Sequence, residues 1–124
     1  MSLLSEAHRV LRRPRYSIRR LRAWKTLRGM QPPYRLNLGC GLVRFDGWTN
    51  IDLSRRDTAA DIAWNLCDGL PVGDETCELI YSEHVLEHFA LSDGLNLLHE
   101  CRRALTPTGV LRIAISAFRP LTPL

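Results

Sequence analysis

Short apolar runs alternate with polar and glycine-containing segments over residues 34–116, and this pattern predicts strands that alternate with helices. Strands in such an order pair in parallel, because each crossover returns the chain to the same end of the sheet. We therefore expect an α/β fold with a mainly parallel, doubly wound, Rossmann-like sheet of about five strands. The predicted strands are residues 34–38, 48–52, 61–66, 78–82 and 110–116.

The segments between these strands predict three helices. Residues 54–60 and 84–89 can each form a short one, whereas little room is left for a helix between the first two strands. A longer helix is expected from Ser92, whose hydroxyl can cap the first turn, to Leu105. Residues 106–109 should end it. Its apolar positions recur at a helical period: Leu95, Leu98, Cys101 and Leu105.

The first 30 residues differ from the rest of the chain in charge. They contain nine basic residues and one acid, a net +8, whereas the remainder contains eight basic and twelve acidic residues, a net −4. Apolar residues at helical spacing predict two helices that Pro14 separates, followed by a linker over residues 29–33. We thus divide the chain into a basic helical segment, residues 1–30, and a domain, residues 31–124.

This basic segment has several possible roles. It can be a solvated helix that caps the domain, or a surface that attracts RNA, anionic lipid or an acidic glycan. Its arginine-rich, acid-poor composition also fits an organellar transit peptide.

Length and composition restrict the remaining possibilities. The 124 residues suffice for one domain, and a hydrophobic content of 45% supports a packed core. The four cysteines form no Cys-x-x-Cys pair, which favours reduced thiols and a cytoplasmic location. No run approaches the ~18 apolar residues of a membrane span, and no secretory signal is evident.

A glycine turn and a carboxylate end the first two predicted strands. The first strand ends in the glycine turn, with the sequence Leu36-Asn37-Leu38-Gly39-Cys40-Gly41. The carboxylate, Asp52, follows Gly41 by eleven residues. Glycines let a backbone pass close beneath a ligand, and a carboxylate can accept both hydroxyls of a ribose. Arg44 stands where a dinucleotide fingerprint has its third glycine, and the carboxylate comes earlier than is typical of nicotinamide binders. A ligand with an adenosine but no pyrophosphate is therefore favoured over a dinucleotide such as NAD.

Four motifs in order resemble the class I S-adenosylmethionine-dependent methyltransferases, especially a branch with a shortened first crossover. They are the glycine turn, residues 47–52, residues 61–66 and the His-Val-Leu-Glu-His segment 84–88, and the resemblance covers residues 34 to about 116. It implies S-adenosylmethionine as cofactor and methyl transfer to an unidentified acceptor. Such a transfer requires alignment of acceptor and methyl group, and a base is optional.

The resemblance also implies residue roles. Gly39, Cys40 and Gly41 would form the turn under the methionine part, and Asp52 would hold the ribose. Asn65 stands where the family usually has the Asp beside the adenine, and the Leu66 backbone would complete that contact. Glu78 likewise replaces an Asp. The expected cofactor-binding residues are Asn37, Gly39, Cys40, Gly41, Asp52, Leu53, Asn65, Leu66 and Ser82.

His84 and His88 are the candidate catalytic residues. They are four apart on a predicted helix that follows the fourth strand, so they should share a face, and one could accept a proton from the acceptor. Structural roles for both are the alternative. The position of Glu87 does not match a zinc-binding helix, and we expect no metal.

The C-terminal residues differ from the family pattern. In the family, a helix and two further strands follow strand five, whereas residues 117–124 contain two prolines, which oppose such elements. We therefore expect a partial domain with residues 110–116 at an open edge, covered by a second copy, a partner chain or the basic segment. Two other functions stay open: a non-catalytic cofactor-binding or scaffold fragment that acts with a partner, and a basic adaptor for RNA or anionic membrane.

Overall fold

The computed structural model describes residues 14–115, with side chains from residue 17 onward. Its elements, in chain order, are α1 (Pro14–Arg28), β1 (Tyr34–Leu38), β2 (Thr49–Asp52), β3 (Ile62–Ala63), a 3₁₀ turn (Leu66–Asp68), β4 (Cys77–Glu83), a 3₁₀ turn (Leu86–His88), α2 (Leu91–Ala104) and β5 (Leu105–Ala114). The helix predicted before Pro14, the end of the fifth predicted strand at Ser116 and the proline-containing residues 117–124 lie outside the described residues.

The five strands form one parallel sheet in the order β3-β2-β1-β4-β5, which confirms the predicted fold class. The chain builds the sheet outward from β1 to β3, then returns to the other side of β1 for β4 and β5. The order therefore reverses between β1 and β4, and ligands of open parallel sheets bind at the carboxyl ends of such strands. Leu38, the last residue of β1, lies beside Ile51 and Ser82 in this register.

The core unites the sheet with both helices. Leu36, Leu38, Ile51 and Ile80 are almost completely buried in the strands, and a single apolar cluster joins them to both helices. Helix α2 contributes Leu97, Cys101 and Ala104, and α1, which packs against β3, contributes Ala23 and Leu27. Apolar burial of this kind is the main favourable contribution to folding.

The structure corrects the prediction for α2. Its buried face includes Leu97, not Leu95, which is 47% exposed, so the true face is rotated relative to the predicted one. Ala90 precedes the helix without a side-chain cap, and Ser92 lies within the first turn instead of capping it. Because Cys101 lies on both the predicted and the observed face, the sequence pattern was right about the element and wrong about its orientation.

The fifth strand begins earlier than predicted. It starts directly after Ala104, whereas residues 106–109 were expected to separate helix from strand. The register shifts there, since Leu105 pairs with Cys77 and Val110 with Leu79, so the regular pairing of β4 and β5 is interrupted at residues 106–109. Within residues 14–115, the outer edge of β5 has no strand partner. A second chain at that edge stays a prediction.

Three shorter segments also differ from prediction. Residues 54–60 form turns and bends instead of a helix. The third strand covers only Ile62–Ala63, not 61–66, because Asn65 caps the 3₁₀ turn that follows through a hydrogen bond from the Cys67 N–H. In segment 84–89 only Leu86–His88 is helical, as a 3₁₀ turn.

Candidate functional site

The site begins with the glycine turn after β1. Gly39 and Gly41 have φ angles of +64° and +54°, in the left-handed region that side chains other than glycine rarely adopt. A Cβ at Gly39 would overlap the Val85 side chain, whereas a Cβ at Gly41 would have no atom within 4 Å. The turn is therefore packed against the protein at Gly39 and open at Gly41.

Asp52 holds this turn from the end of β2. Its Oδ2 accepts the Gly41 N–H at 2.8 Å, and its Oδ1 accepts the Leu53 N–H at 2.7 Å. Each carboxylate oxygen has a further lone pair, so both can accept another hydrogen bond. The sequence placed the glycine turn and Asp52 at one edge of the sheet, and the structure brings them into direct contact.

Asn37 and Asn50 lie beneath the loop that follows the turn. Both are buried, and the Asn37 amide donates to Asn50 Oδ1 at 2.9 Å and to the Val43 carbonyl at 3.0 Å. Asn50 also accepts the Phe45 N–H and donates to the Phe45 carbonyl. These hydrogen bonds hold the loop between β1 and β2 in place, although that loop contains no helix. They place Asn37 under the loop, and its predicted contact with a cofactor stays a prediction.

Asp61 connects this network to the surface. Its Oδ2 accepts from the Asn50 backbone at 2.9 Å and from the Asn50 amide at 3.0 Å, while its Oδ1 lies 2.7 Å from Arg44 Nη1. Burial opposes ionisation of Asp61, but the hydrogen bonds from Arg44 and Asn50 lower its pKa below the ordinary value. No role was assigned to Asn50 or Asp61 from the sequence; the available signals were a polar residue within β2 and an acid directly before β3.

Asp61→Asn is expected to destabilise the protein by about 1–2 kcal/mol at neutral pH, because it removes charge-assisted hydrogen bonds. A carboxyl whose folded-state pKa is lowered stabilises above its unfolded pKa of about 3.9 and loses that effect as the pH falls through the folded value. Urea unfolding between pH 7 and pH 3 should show the difference from wild type shrinking below about pH 4. Asp46→Asn, whose side chain is fully exposed, is the control. A difference that stays constant with pH would contradict this role of the Asp61 charge.

Three further predicted cofactor-binding residues, Leu53, Asn65 and Leu66, lie on the far side of Asp52 from β1. Leu53 is 55% exposed, and Leu66 is buried at the start of the 3₁₀ turn. Asn65 Oδ1 accepts the Cys67 N–H at 3.0 Å, so its carbonyl oxygen already has one partner. These residues form the β3 side of the site.

Ser82 lies on the other side, at the end of β4. Its side chain is buried beside Leu38, and its Oγ has no hydrogen-bond partner among the described residues. A buried hydroxyl without a partner is costly and therefore requires an explanation. A ligand that supplies the missing hydrogen bond at the carboxyl edge of β4 would provide one.

The structure corrects the relation between His84 and His88. His84 has a φ of +55° and precedes the 3₁₀ turn that contains His88, so the two do not share a helical face. The His84 N–H donates to the Ala114 carbonyl, and the ring lies 3.4 Å from Glu87 and 3.5 Å from Glu83. Within residues 14–115, no group of three or more His, Cys, Asp or Glu side chains is placed to hold a metal ion.

Cys40 lies within the glycine turn and is buried. Burial, reinforced by the nearby Asp52 charge, raises the pKa of its thiol to about 11. The thiol is therefore protonated at neutral pH, and since the thiolate is the nucleophilic form, burial disfavours Cys40 as a nucleophile. The other three cysteines are also free thiols.

A parallel sheet whose strand order reverses beside a glycine turn and a carboxylate is typical of α/β proteins that bind nucleotides or nucleosides. The comparison with protein families narrows this class: the model described as a methyltransferase domain matches residues 36–113, and the chain belongs to that family. No curated protein matches the chain significantly. In the part of the chain that the structure describes, neither helix is long and apolar enough to cross a bilayer.

Proposed function

We propose that the chain binds S-adenosylmethionine at the glycine turn and transfers its methyl group to an acceptor. The observation that carries this proposal is the contact between Asp52 and the Gly41 amide, beside the open space above Gly41. Family membership supplies the class of reaction, and this contact supplies a place for a nucleoside with a ribose.

The residues at this edge fit such a cofactor. The open backbone at Gly41 would lie against the methionine part, and Asp52 would accept both ribose hydroxyls through its remaining lone pairs. Leu53 would offer an exposed apolar surface to the adenine, with the Leu66 backbone and the second lone pair of Asn65 Oδ1 as polar partners. The Ser82 hydroxyl would gain the hydrogen bond that the described residues do not provide.

The protein's own part in the reaction is to bind, align and exclude water. When bound, the cofactor supplies a methyl group attached to a positively charged sulfur, and the rest of the cofactor, as a neutral thioether, is the leaving group. His84 is the proposed proton acceptor, because it directly follows β4 at the same edge of the sheet and its ring is more than half exposed there. His88 is proposed to line the acceptor side. The acceptor stays open among small metabolites, sugars and macromolecules.

Titration calorimetry with S-adenosylmethionine and NAD tests the proposal, with Asp52→Ala as the variant. Loss of the charged hydrogen bonds should weaken S-adenosylmethionine binding by about 1.5–3 kcal/mol, or about ten- to a hundredfold. Asp46→Ala, at a fully exposed carboxylate, should bind as wild type does. Unfolding midpoints of all three proteins would identify any loss that comes from destabilisation alone.

Two results would count against the proposal. Equal affinity in Asp52→Ala and wild type would remove Asp52 from the site, and preferential binding of NAD would replace the cofactor. Turnover is a separate question, for which methyl release from labelled cofactor in a lysate is the measurement. Binding without release would favour the alternative of a non-catalytic fragment that acts with a partner chain.

A further inference from the structure

Helix α1 exposes a stripe of apolar side chains. Ile18, Leu21 and Trp24 are three residues apart, hence on one side of the helix, and they are 53%, 53% and 54% exposed. Ala23 and Leu27, on the other side, are the α1 residues that join the core. Within residues 14–115, the core therefore uses one side of α1 and leaves the apolar stripe exposed.

The same helix is strongly basic. Its 15 residues include no acid and six cations: Arg15, Arg19, Arg20, Arg22, Lys25 and Arg28. The Arg28 guanidinium lies 4.6 Å from the centre of the Trp24 ring, so charge and apolar surface adjoin within the stripe. Exposed Trp and aliphatic side chains beside Arg and Lys are the residue types by which helices bind at a membrane interface.

A cationic cleft lies beside α1. It has a volume of about 310 Å³, and four arginines line it: Arg19 and Arg22 from α1, and Arg55 and Arg56 from the segment after β2. Its one lining carboxylate, Asp61, is hydrogen-bonded to Arg44. In residues 14–115, none of these four arginines forms an ion pair. The cleft thus offers several guanidinium groups to a phosphate, an anion that arginine binds in forked geometry.

We propose that α1 and this cleft form a docking surface for an anionic lipid bilayer. The apolar stripe enters the boundary between headgroups and acyl chains, and the arginines of the cleft bind lipid phosphates. A polynucleotide would account for the arginines, but it offers no apolar phase to Ile18 and Leu21. The bilayer accounts for both features, and the proposal does not depend on the proposed cofactor or reaction.

Flotation of the full chain with vesicles tests this surface. Vesicles of phosphatidylcholine with phosphatidylserine should bind the protein, and vesicles of phosphatidylcholine alone should bind it far less. Binding should weaken as salt rises, because the phosphate contacts are screened. Single-stranded poly(U) serves as a second probe and separates a bilayer from a nucleic acid.

Two double variants address the two halves of the surface. Leu21→Ser/Trp24→Ser should weaken binding by at least about tenfold, since about half of each side chain has apolar surface to bury. Arg55→Gln/Arg56→Gln should weaken it by about fivefold per charge removed. The controls are Leu95→Ser and Arg102→Gln on α2, which change an equally exposed leucine and an exposed arginine away from the surface. Unfolding midpoints of all four variants identify any loss of binding that comes from destabilisation alone.

The proposal is overturned if the stripe variant binds anionic vesicles as wild type does, or if neutral vesicles bind equally well. It is also overturned if the chain binds poly(U) but not vesicles and only the arginine variant loses that binding, since the surface then serves a nucleic acid. Loss of vesicle binding in both double variants, with both controls intact, supports it.

Discussion

Gly39→Ala is expected to lower the free energy of unfolding by about 2–5 kcal/mol, the largest stability change that we predict. An alanine at a φ of +64° costs about 1–2 kcal/mol, and its Cβ would overlap the Val85 side chain, which adds about 1–3 kcal/mol. Val85 is buried, so it cannot swing into solvent to relieve the overlap. Urea unfolding followed by circular dichroism gives the difference directly.

The chain contains a matched control for this substitution. Gly47 has a φ of +80°, and no atom lies within 4 Å of the position of its Cβ, so Gly47→Ala carries the backbone cost alone. A double-mutant cycle of Gly39→Ala with Val85→Ala should show favourable coupling of about 1–3 kcal/mol, because the smaller side chain removes the overlap. Equal destabilisation by Gly39→Ala and Gly47→Ala would show that packing against Val85 is not what requires glycine.

The sheet could be predicted because its signal is local. Strand β1 has the predicted bounds, Tyr34–Leu38, since a run of apolar residues ends there at a glycine turn. Strand β3 and the segment after it could not be bounded in this way, because Asn65 forms a cap with the Cys67 N–H that competes with strand pairing. The same holds for residues 54–60, where Thr58 accepts the Ala60 N–H and donates to the Ser54 carbonyl. Hydrogen bonds from side chains to the local backbone thus determine the conformation of both segments.

The site shows a similar division. Gly41 and Asp52 could be placed together because both follow parallel strands that end at one edge. The hydrogen bond between Arg44 and Asp61 could not be predicted, since it joins residues that are 17 apart, on irregular segments and without a motif spacing. The left-handed backbone of His84 also has no sequence signal, because histidine is uncommon in that conformation and the hydrogen bond from its N–H goes to Ala114, a residue distant in the chain. Contacts between loops therefore required the structure.

Gly41→Ala is expected to weaken S-adenosylmethionine binding by about 3 kcal/mol, or about a hundredfold, while its loss of stability is limited to the cost of the left-handed backbone. The protein itself leaves the Cβ position at Gly41 open, so the new methyl group would occupy space that we assign to the cofactor. The substitution keeps the N–H that Asp52 accepts, so it tests the space above the turn and leaves that hydrogen bond in place.

Gly47→Ala is again the matched control, because it has the same left-handed backbone and the same open Cβ position outside the proposed site. Both variants should lose about 1–2 kcal/mol of stability, but only Gly41→Ala should lose affinity for the cofactor in calorimetry. If both bind S-adenosylmethionine equally well, the cofactor does not lie against Gly41. Asp52→Ala would then decide between a shifted pose, in which the carboxylate still matters, and a site elsewhere on the chain.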